Sequence, residues 1–93
     1  MGDLVSVRAT VYGRVQGVFF RAFVEEHAQQ LGLRGYVRNL TSGDVEVVAE
    51  GEQERVKKLV EYLKRGPSVA RVNRVVTRWS EYTGNYSSFR VRY

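Results

Sequence analysis

The segment Gly13-Arg14-Val15-Gln16-Gly17-Val18-Phe19-Phe20-Arg21 is suited to binding an anion, because it joins a predicted strand to a predicted helix through a glycine-bearing loop. Such a loop can turn successive backbone N–H groups towards a phosphate, and the helix N-terminus adds unpaired N–H groups and partial positive charge. Arg21 lies at the helix start, where its guanidinium can fork onto the same oxyanion. The N–H groups that we expect to contribute belong to Val15, Gln16, Gly17, Val18, Phe19 and Phe20. The spacings typical of nucleotide loops are missing, so a nucleotide is not implied.

The elements around this segment are predicted from the periods of the apolar residues. Alternation from Val5 to Tyr12 is typical of a half-buried strand, whereas a helical period begins at Phe20 and continues to Leu31. Further predicted elements are a hairpin over 33–50, a helix over 52–65, a strand over 72–82 and a short strand over 89–93. Gly51 is expected to end the hairpin, and imperfect alternation near Val75-Val76 predicts a β-bulge.

The order of these elements is β-α-β-β-α-β followed by a short strand, which is typical of the α+β, ferredoxin-like arrangement. We therefore expect an antiparallel sheet with two helices on one face, in a single domain over residues 5–93 after a short N-terminal extension over 1–4. Because this fold hosts many functions, the fold alone does not identify an activity.

The loop segment closely resembles the signature of the acylphosphatase family, and the resemblance extends over residues 5–93. It continues through Ala28, Leu31-Gly32-Leu33, Gly35, Val37-Arg38-Asn39, Gly43, Val45-Glu46, Gly51, Gly66-Pro67 and Phe89-Arg90-Val91-Arg92-Tyr93. Two departures are Thr41-Ser42-Gly43, where the family often has Asp before the Gly, and Ser68, where a second Pro is common. The resemblance implies that Arg21 is the catalytic residue that binds phosphate and that Asn39 positions the attacking water.

The implied reaction is the hydrolysis of an acyl phosphate to a carboxylate and inorganic phosphate. We expect no metal and no cofactor, since the chain has two Asp, one His and no cluster with the spacing of metal ligands. The expected partners are a small acyl phosphate as substrate and inorganic phosphate as product and inhibitor. We also expect a monomer.

Composition agrees with an anionic partner but does not choose one. The formal net charge is +5, and 12 of the 15 basic residues are Arg, the side chain suited to planar recognition of phosphate. There is no Cys, no apolar run long enough to span a membrane, and no leader sequence, so we expect a cytoplasmic protein without a membrane partner.

Two other classes remain open at this stage. A basic ferredoxin-like module could bind nucleic acid, with Tyr12, Tyr36 and Trp79 as aromatic surface, but residues 44–50 of the third strand contain no aromatic residue, and we expect no nucleic-acid partner. A non-catalytic ligand-sensing domain would not need Arg21 and Asn39 at these positions. Other notable side chains are interpreted structurally. We expect His27, Phe19, Phe20 and Phe23 to be packed, and Glu25-Glu26 and Lys57-Lys58 to form solvated helix faces. Arg14 and Arg38 flank the site and either steer anionic substrates or are merely exposed.

Overall fold

The secondary structure follows the predicted order along the chain. The computed structural model describes residues 2–93. Its elements are β1 (Leu4–Arg14), α1 (Phe20–Gln30), β2 (Arg34–Asn39), β3 (Val45–Glu52), α2 (Gln53–Arg65), β4 (Arg71–Glu81) and β5 (Phe89–Arg92). No helix in this part of the chain has the length and apolar character needed to cross a membrane.

The five strands form one sheet in the order β4-β1-β3-β2-β5. Neighbouring strands are antiparallel except β2 and β5, which are parallel, so the short last strand makes the sheet mixed. Both helices pack on this sheet and contact each other. This arrangement confirms the predicted ferredoxin-like α+β fold.

The core lies between the helices and one face of the sheet. Val7, Ala9 and Val11 of β1 are buried there, whereas Arg8 between them is exposed, as the period of a strand requires. Each helix contributes its apolar face to this core, and Phe89 of β5 packs at the edge of the core. The opposite face of the sheet carries the alternate side chains.

Three local features differ from the predictions. The bulge lies at Asn73 instead of Val75-Val76, because the β1–β4 register shifts between Tyr12 and Gly13, where a Cβ on Gly13 would lie 2.1 Å from the Arg71 carbonyl oxygen. The strand β3 does not end at Gly51 but continues to Glu52. Within it, Gly51 has φ of 157°, and its lack of a side chain leaves room for the Leu33 side chain. Glu52 is consequently the N-cap of α2 and not part of its first turn. Leu4, assigned to the extension, pairs with Glu52 in the sheet.

The segment after β4 must cross from one edge of the sheet to the other to form β5, and Glu50 holds it there. Its carboxylate accepts hydrogen bonds from Thr83 N at 3.1 Å, Thr83 Oγ1 at 2.7 Å and Gly84 N at 3.0 Å. Burial alone would raise the pKa of Glu50, but these hydrogen bonds outweigh it and hold the pKa below its usual range. This contact fixes the path of the chain to β5, whose end reaches the candidate site.

Candidate active site

The loop between β1 and α1 is shaped by two residues with positive φ. Gly17 has φ of 71° and Phe19 has φ of 61°. The unusual backbone at Phe19 turns its side chain outwards between the buried Val18 and Phe20, so Phe19 is 82% exposed. The prediction that Phe19 is packed in the core is therefore wrong, whereas Phe20 is buried and Phe23 packs against the core.

The backbone of this loop presents several free N–H groups. Within residues 2–93, none of the N–H groups from Gln16 to Phe19 donates to a backbone carbonyl. The first helical bond of α1 runs from Phe23 N to Phe19 O at 3.0 Å, and no side chain caps the helix. The N–H groups of Phe20, Arg21 and Ala22 therefore have no helical partner and are available to an anion.

The Gln16 side chain ties this loop to the turn between β2 and β3. Its Nε2 donates to the carbonyl oxygens of Leu40 and Asp44, each at 2.8 Å. The loop is thereby held beside the end of β2. Sequence reasoning considered only the backbone N–H of Gln16, and nothing in the local pattern signals a side-chain contact made 24 and 28 residues away.

The sheet topology places Asn39 beside the loop. The strands β1 and β2 are both antiparallel to β3, so they run in the same direction and their carboxyl ends lie at the same edge of the sheet. Asn39 is the last residue of β2, and the loop leaves the end of β1. The Asn39 Oδ1 atom is buried and accepts no hydrogen bond from any described residue. An unpaired buried oxygen of this kind needs an explanation, and a catalytic role is one of the recognised ones.

A cavity of about 350 Å³ lies where the loop, α1 and β2 meet. Arg21 and Asn39, separated by 18 positions in the sequence, both line it. Its lining is Val15, Gly17, Phe19, Phe20, Arg21, Ala22, Glu25, Asn39, Val91 and Tyr93. Of the six predicted loop residues, Gln16 and Val18 are not part of the lining: the Gln16 side chain reaches the turn, and Val18 is buried.

Four lining residues were not predicted as part of the site: Ala22, Glu25, Val91 and Tyr93. The Tyr93 ring centroid lies 4.8 Å from Cζ of Arg21, a cation–π distance that favours one position of the guanidinium. Glu25 Oε2 accepts a hydrogen bond from the backbone N–H of Val91 at 3.0 Å. Glu25 is therefore half-buried and links α1 to β5, so its interpretation as a solvated residue is wrong. The contact spans 66 positions in the sequence and leaves no local signal.

The remaining charged candidates lie outside the cavity. Arg38 Nε donates to Glu46 Oε1 at 2.7 Å on the other face of the sheet, which raises the pKa of Arg38. Arg14 is exposed. The His27 ring stacks on Tyr62 with centroids 3.9 Å apart, which confirms the prediction of a packed histidine.

The cavity combines a cation, free backbone donors and an unpaired amide oxygen. The guanidinium and the N–H groups together suit a phosphate dianion. An amide can both accept a hydrogen bond from a water and donate one to a phosphate oxygen. In the part of the chain that the structure describes, no three His, Cys, Asp or Glu side chains are close enough to form a metal site.

Comparison with known proteins gives one consistent family. The sequence profile of the acylphosphatase family matches residues 7–91. An acylphosphatase of Dehalococcoides mccartyi strain CBDB1 is 47% identical over 94% of this chain and 97% of its own length. The crystal structure of acylphosphatase from Bacillus subtilis superposes with a TM-score of 0.92 at 35% identity, covering 96% of this chain and 99% of that one. An acylphosphatase structure from Coxiella burnetii gives a TM-score of 0.91 at 44% identity, covering 97% and 94%.

The similarity covers both the loop segment and the strand that ends in Asn39, which are the parts that form the cavity. It extends over nearly the full length of each of these relatives. The chain therefore belongs to the acylphosphatase family and is an acylphosphatase hydrolase.

Proposed function

We propose that the chain hydrolyses acyl phosphates at this cavity without a metal ion, with Arg21 holding the phosphate and Asn39 positioning the water. The observation that carries the proposal is that Arg21, Asn39 and the loop residues Val15, Gly17 and Phe19 line one cavity, although they come from three separate elements. The family gives the reaction class, and the positions of Arg21 and Asn39 in the cavity support the proposed roles.

The phosphate group is held by charge and by backbone donors. Arg21 supplies a guanidinium that can donate two parallel hydrogen bonds to phosphate oxygens. The N–H groups of the loop and of the first turn of α1, which have no backbone acceptor, would donate to the remaining oxygens. Because these donors are fixed before the substrate binds, they stabilise the charge of the transition state without reorganisation.

The attacking water is held by Asn39. Its Oδ1 is buried at the cavity wall without a partner among the described residues, and a bound water would satisfy it. The Asn39 Nδ2 group can donate to a phosphate oxygen at the same time, which aligns the water with the phosphorus atom. Phosphoryl transfer depends mainly on such positioning and on charge stabilisation.

The bond changes require little further machinery. The water oxygen forms a bond to phosphorus while the bond from phosphorus to the carboxyl oxygen breaks. The carboxylate leaves as a stable anion, so no general acid is needed, and the water keeps both protons on the product, which departs as dihydrogen phosphate. Since Arg21 carries the positive charge that a metal supplies in other phosphoryl-transfer sites, we expect full activity in EDTA. Inorganic phosphate, which has the same charged group, is expected to inhibit.

The test is hydrolysis of benzoyl phosphate in EDTA by the wild type and by Arg21→Ala and Asn39→Ala. Each substitution is expected to lower kcat/KM about a hundredfold or more, because each removes a positioned contact to the transition state. Asn39→Ala should not lower the free energy of unfolding through lost hydrogen bonds, since its Oδ1 has no partner to lose among the described residues.

Matched controls are Arg78→Ala and Asn73→Ala, which remove the same side chains from exposed positions of β4. These two variants are expected to keep wild-type kcat/KM, and circular dichroism verifies that all four fold. An inactive wild type would refute the proposed reaction. An active wild type with fully active Arg21→Ala and Asn39→Ala variants would refute the site.

A further inference from the structure

The face of the sheet that turns away from the helices is strongly basic. On β1, β2 and β3, the residues of this face alternate with the buried core residues, and the strand register places β4 and β5 residues beside them. The arginines that we group as the arginine face are Arg8, Arg34, Arg38, Arg74, Arg78, Arg90 and Arg92. All of them are exposed.

Two pairs of these arginines lie directly opposite each other on neighbouring strands. Arg8 of β1 is the partner of Arg78 of β4, and Arg38 of β2 is the partner of Arg92 of β5. Like charges at directly opposed positions destabilise a sheet. A fold gains nothing from two such pairs on one face, whereas a polyanion lying across the strands would neutralise both.

The carboxylates on the arginine face do not cancel its charge. Glu50 is bound by the segment after β4, and Glu46 is buried beneath the arginines, where it accepts hydrogen bonds from Arg38 Nε at 2.7 Å and Tyr36 OH at 2.9 Å. The Arg8 guanidinium is 3.9 Å from Glu46, a distant contact. The arginine face therefore keeps a large excess of positive charge.

The helical side of the molecule has a different charge pattern. All three lysines of the chain are on α2, and two of them are paired: Lys57 with Glu54 at 3.8 Å and Lys64 with Glu61 at 3.2 Å. Arg55 of α2 is likewise 3.6 Å from Glu52, so three of the five basic residues of α2 have an acidic partner, whereas the arginine face carries arginines and no lysine. A cluster of exposed arginines thus lies on the arginine face, beside the segment that crosses this face at Glu50, and such a basic patch is the footprint of a polyanion site.

Aromatic rings lie among these arginines. Arg74 Cζ is 4.4 Å from the centroid of Tyr12, and Arg92 Cζ is 3.8 Å from the centroid of Tyr36. A guanidinium supported on a ring in this way presents its other face to solvent, and guanidinium planes and exposed tyrosine rings can stack on nucleic-acid bases. Because Tyr36 is itself buried, the available plane at that pair is the guanidinium of Arg92. The third strand has no aromatic residue, as the sequence indicates, but β1 and β2 on either side of it supply them.

We propose that the arginine face binds single-stranded nucleic acid, with the arginines contacting phosphates and the Arg–Tyr pairs stacking on bases. An anionic membrane or an acidic peptide would satisfy the charges but would not use the stacking planes. This surface is distinct from the proposed catalytic cavity, because Arg21 and Asn39 lie on the side of the sheet that packs against the helices.

The test measures binding of a fluorescent 20-nucleotide oligothymidylate to the full chain by anisotropy over a range of salt concentrations. The double variant Arg74→Ala/Arg78→Ala removes two phosphate contacts and should reduce the slope of log K against log salt by about 1.4. If the loss is wholly electrostatic, the same slope change corresponds to affinity about 60-fold weaker at 0.05 M salt. Tyr12→Leu should weaken binding about fivefold or more without changing the slope, since it removes a stacking surface but no charge.

The matched control is Lys57→Ala/Lys58→Ala, which removes the same charge from α2 and should leave the slope unchanged. Benzoyl phosphate hydrolysis verifies that each variant folds. Equal losses in the two double variants would refute the proposal by showing non-specific attraction. Tighter binding to inorganic polyphosphate or to phosphatidylserine vesicles than to the oligonucleotide would also refute it. Displacement of the oligonucleotide by inorganic phosphate at constant ionic strength would place binding in the catalytic cavity instead.

Discussion

Replacing Gln16 tests whether the loop proposed to bind phosphate is positioned by its link to the β2–β3 turn. In Gln16→Leu the side chain keeps a similar size but loses both hydrogen bonds, to the carbonyl oxygens of Leu40 and Asp44. A hydrogen bond between neutral groups contributes about 0.5–1.5 kcal/mol, so the two together contribute about 1–3 kcal/mol. Leu40 O still accepts from Gly43 N at 3.1 Å and Asp44 O from Leu40 N at 2.8 Å, so neither carbonyl is left unpaired. We therefore expect a loss of about 1–2 kcal/mol in the free energy of unfolding.

We expect Gln16→Leu to lose more catalytic activity than its loss of stability alone would produce. The proposed phosphate donors are N–H groups of this loop, and small displacements of positioned groups reduce rates strongly. We expect kcat/KM for benzoyl phosphate to fall about tenfold or more in Gln16→Leu. Gln16→Glu should fall further, because a carboxylate cannot donate to the two carbonyl oxygens and adds negative charge beside the phosphate.

The matched control is Gln29→Leu, which removes a single hydrogen bond from Gln29 Nε2 to the Phe89 carbonyl oxygen at 3.0 Å. It should lower the free energy of unfolding by about 1 kcal/mol and leave kcat/KM unchanged. Urea unfolding and initial rates are measured on the same preparations. If Gln16→Leu is destabilised to the expected extent but retains wild-type kcat/KM, other contacts position the loop, and the reasoning is refuted.

Two further predictions concern acid stability and the close approach of two strands. The pKa values of Glu46 and Glu50 are both below the usual range. These groups therefore contribute stability that is complete above the ordinary Glu pKa of about 4.3 and is lost as pH falls through their folded pKa values. We expect urea midpoints to fall on acidification, and to fall less steeply in Glu50→Gln. Gly35→Ala should prevent folding as judged by circular dichroism, because the new Cβ would lie 1.9 Å from the Val48 carbonyl oxygen. The control is Gly43→Ala, whose Cβ would have no atom within 4 Å. Its positive φ should lower the free energy of unfolding by only about 1–2 kcal/mol.

The parts of the site that could be predicted are those that are contiguous or that follow from strand order. The loop and Arg21 occupy one short segment, and Asn39 ends a strand whose direction follows from the hairpin. The side chains of Gln16 and Glu25 and the ring of Tyr93 reach the site through contacts between distant positions. The periodicity of apolar residues does not indicate such contacts, because Gln16 and Glu25 are polar and Tyr93 lies at the end of a strand.

The errors in prediction have local physical causes. Phe19 is predicted in the core with Phe20 and Phe23, since large apolar side chains are usually packed. Its positive φ, however, turns the side chain away from the core at the helix start. The bulge was expected from weak alternation in β4, but the strand is an exposed edge whose side chains carry little burial signal, and its position is set by Gly13 on the neighbouring strand.

The alternation of β2 separates the two proposed functions within three consecutive residues. Val37 is buried in the core, Arg38 lies on the arginine face, and Asn39 returns to the helical side and lines the cavity. A substitution on the arginine face can affect the cavity only through the backbone of the sheet, whose central strands are paired on both sides. Hydrolysis and nucleic-acid binding should therefore respond to different substitutions, and a variant that lost both would indicate damage to the sheet itself.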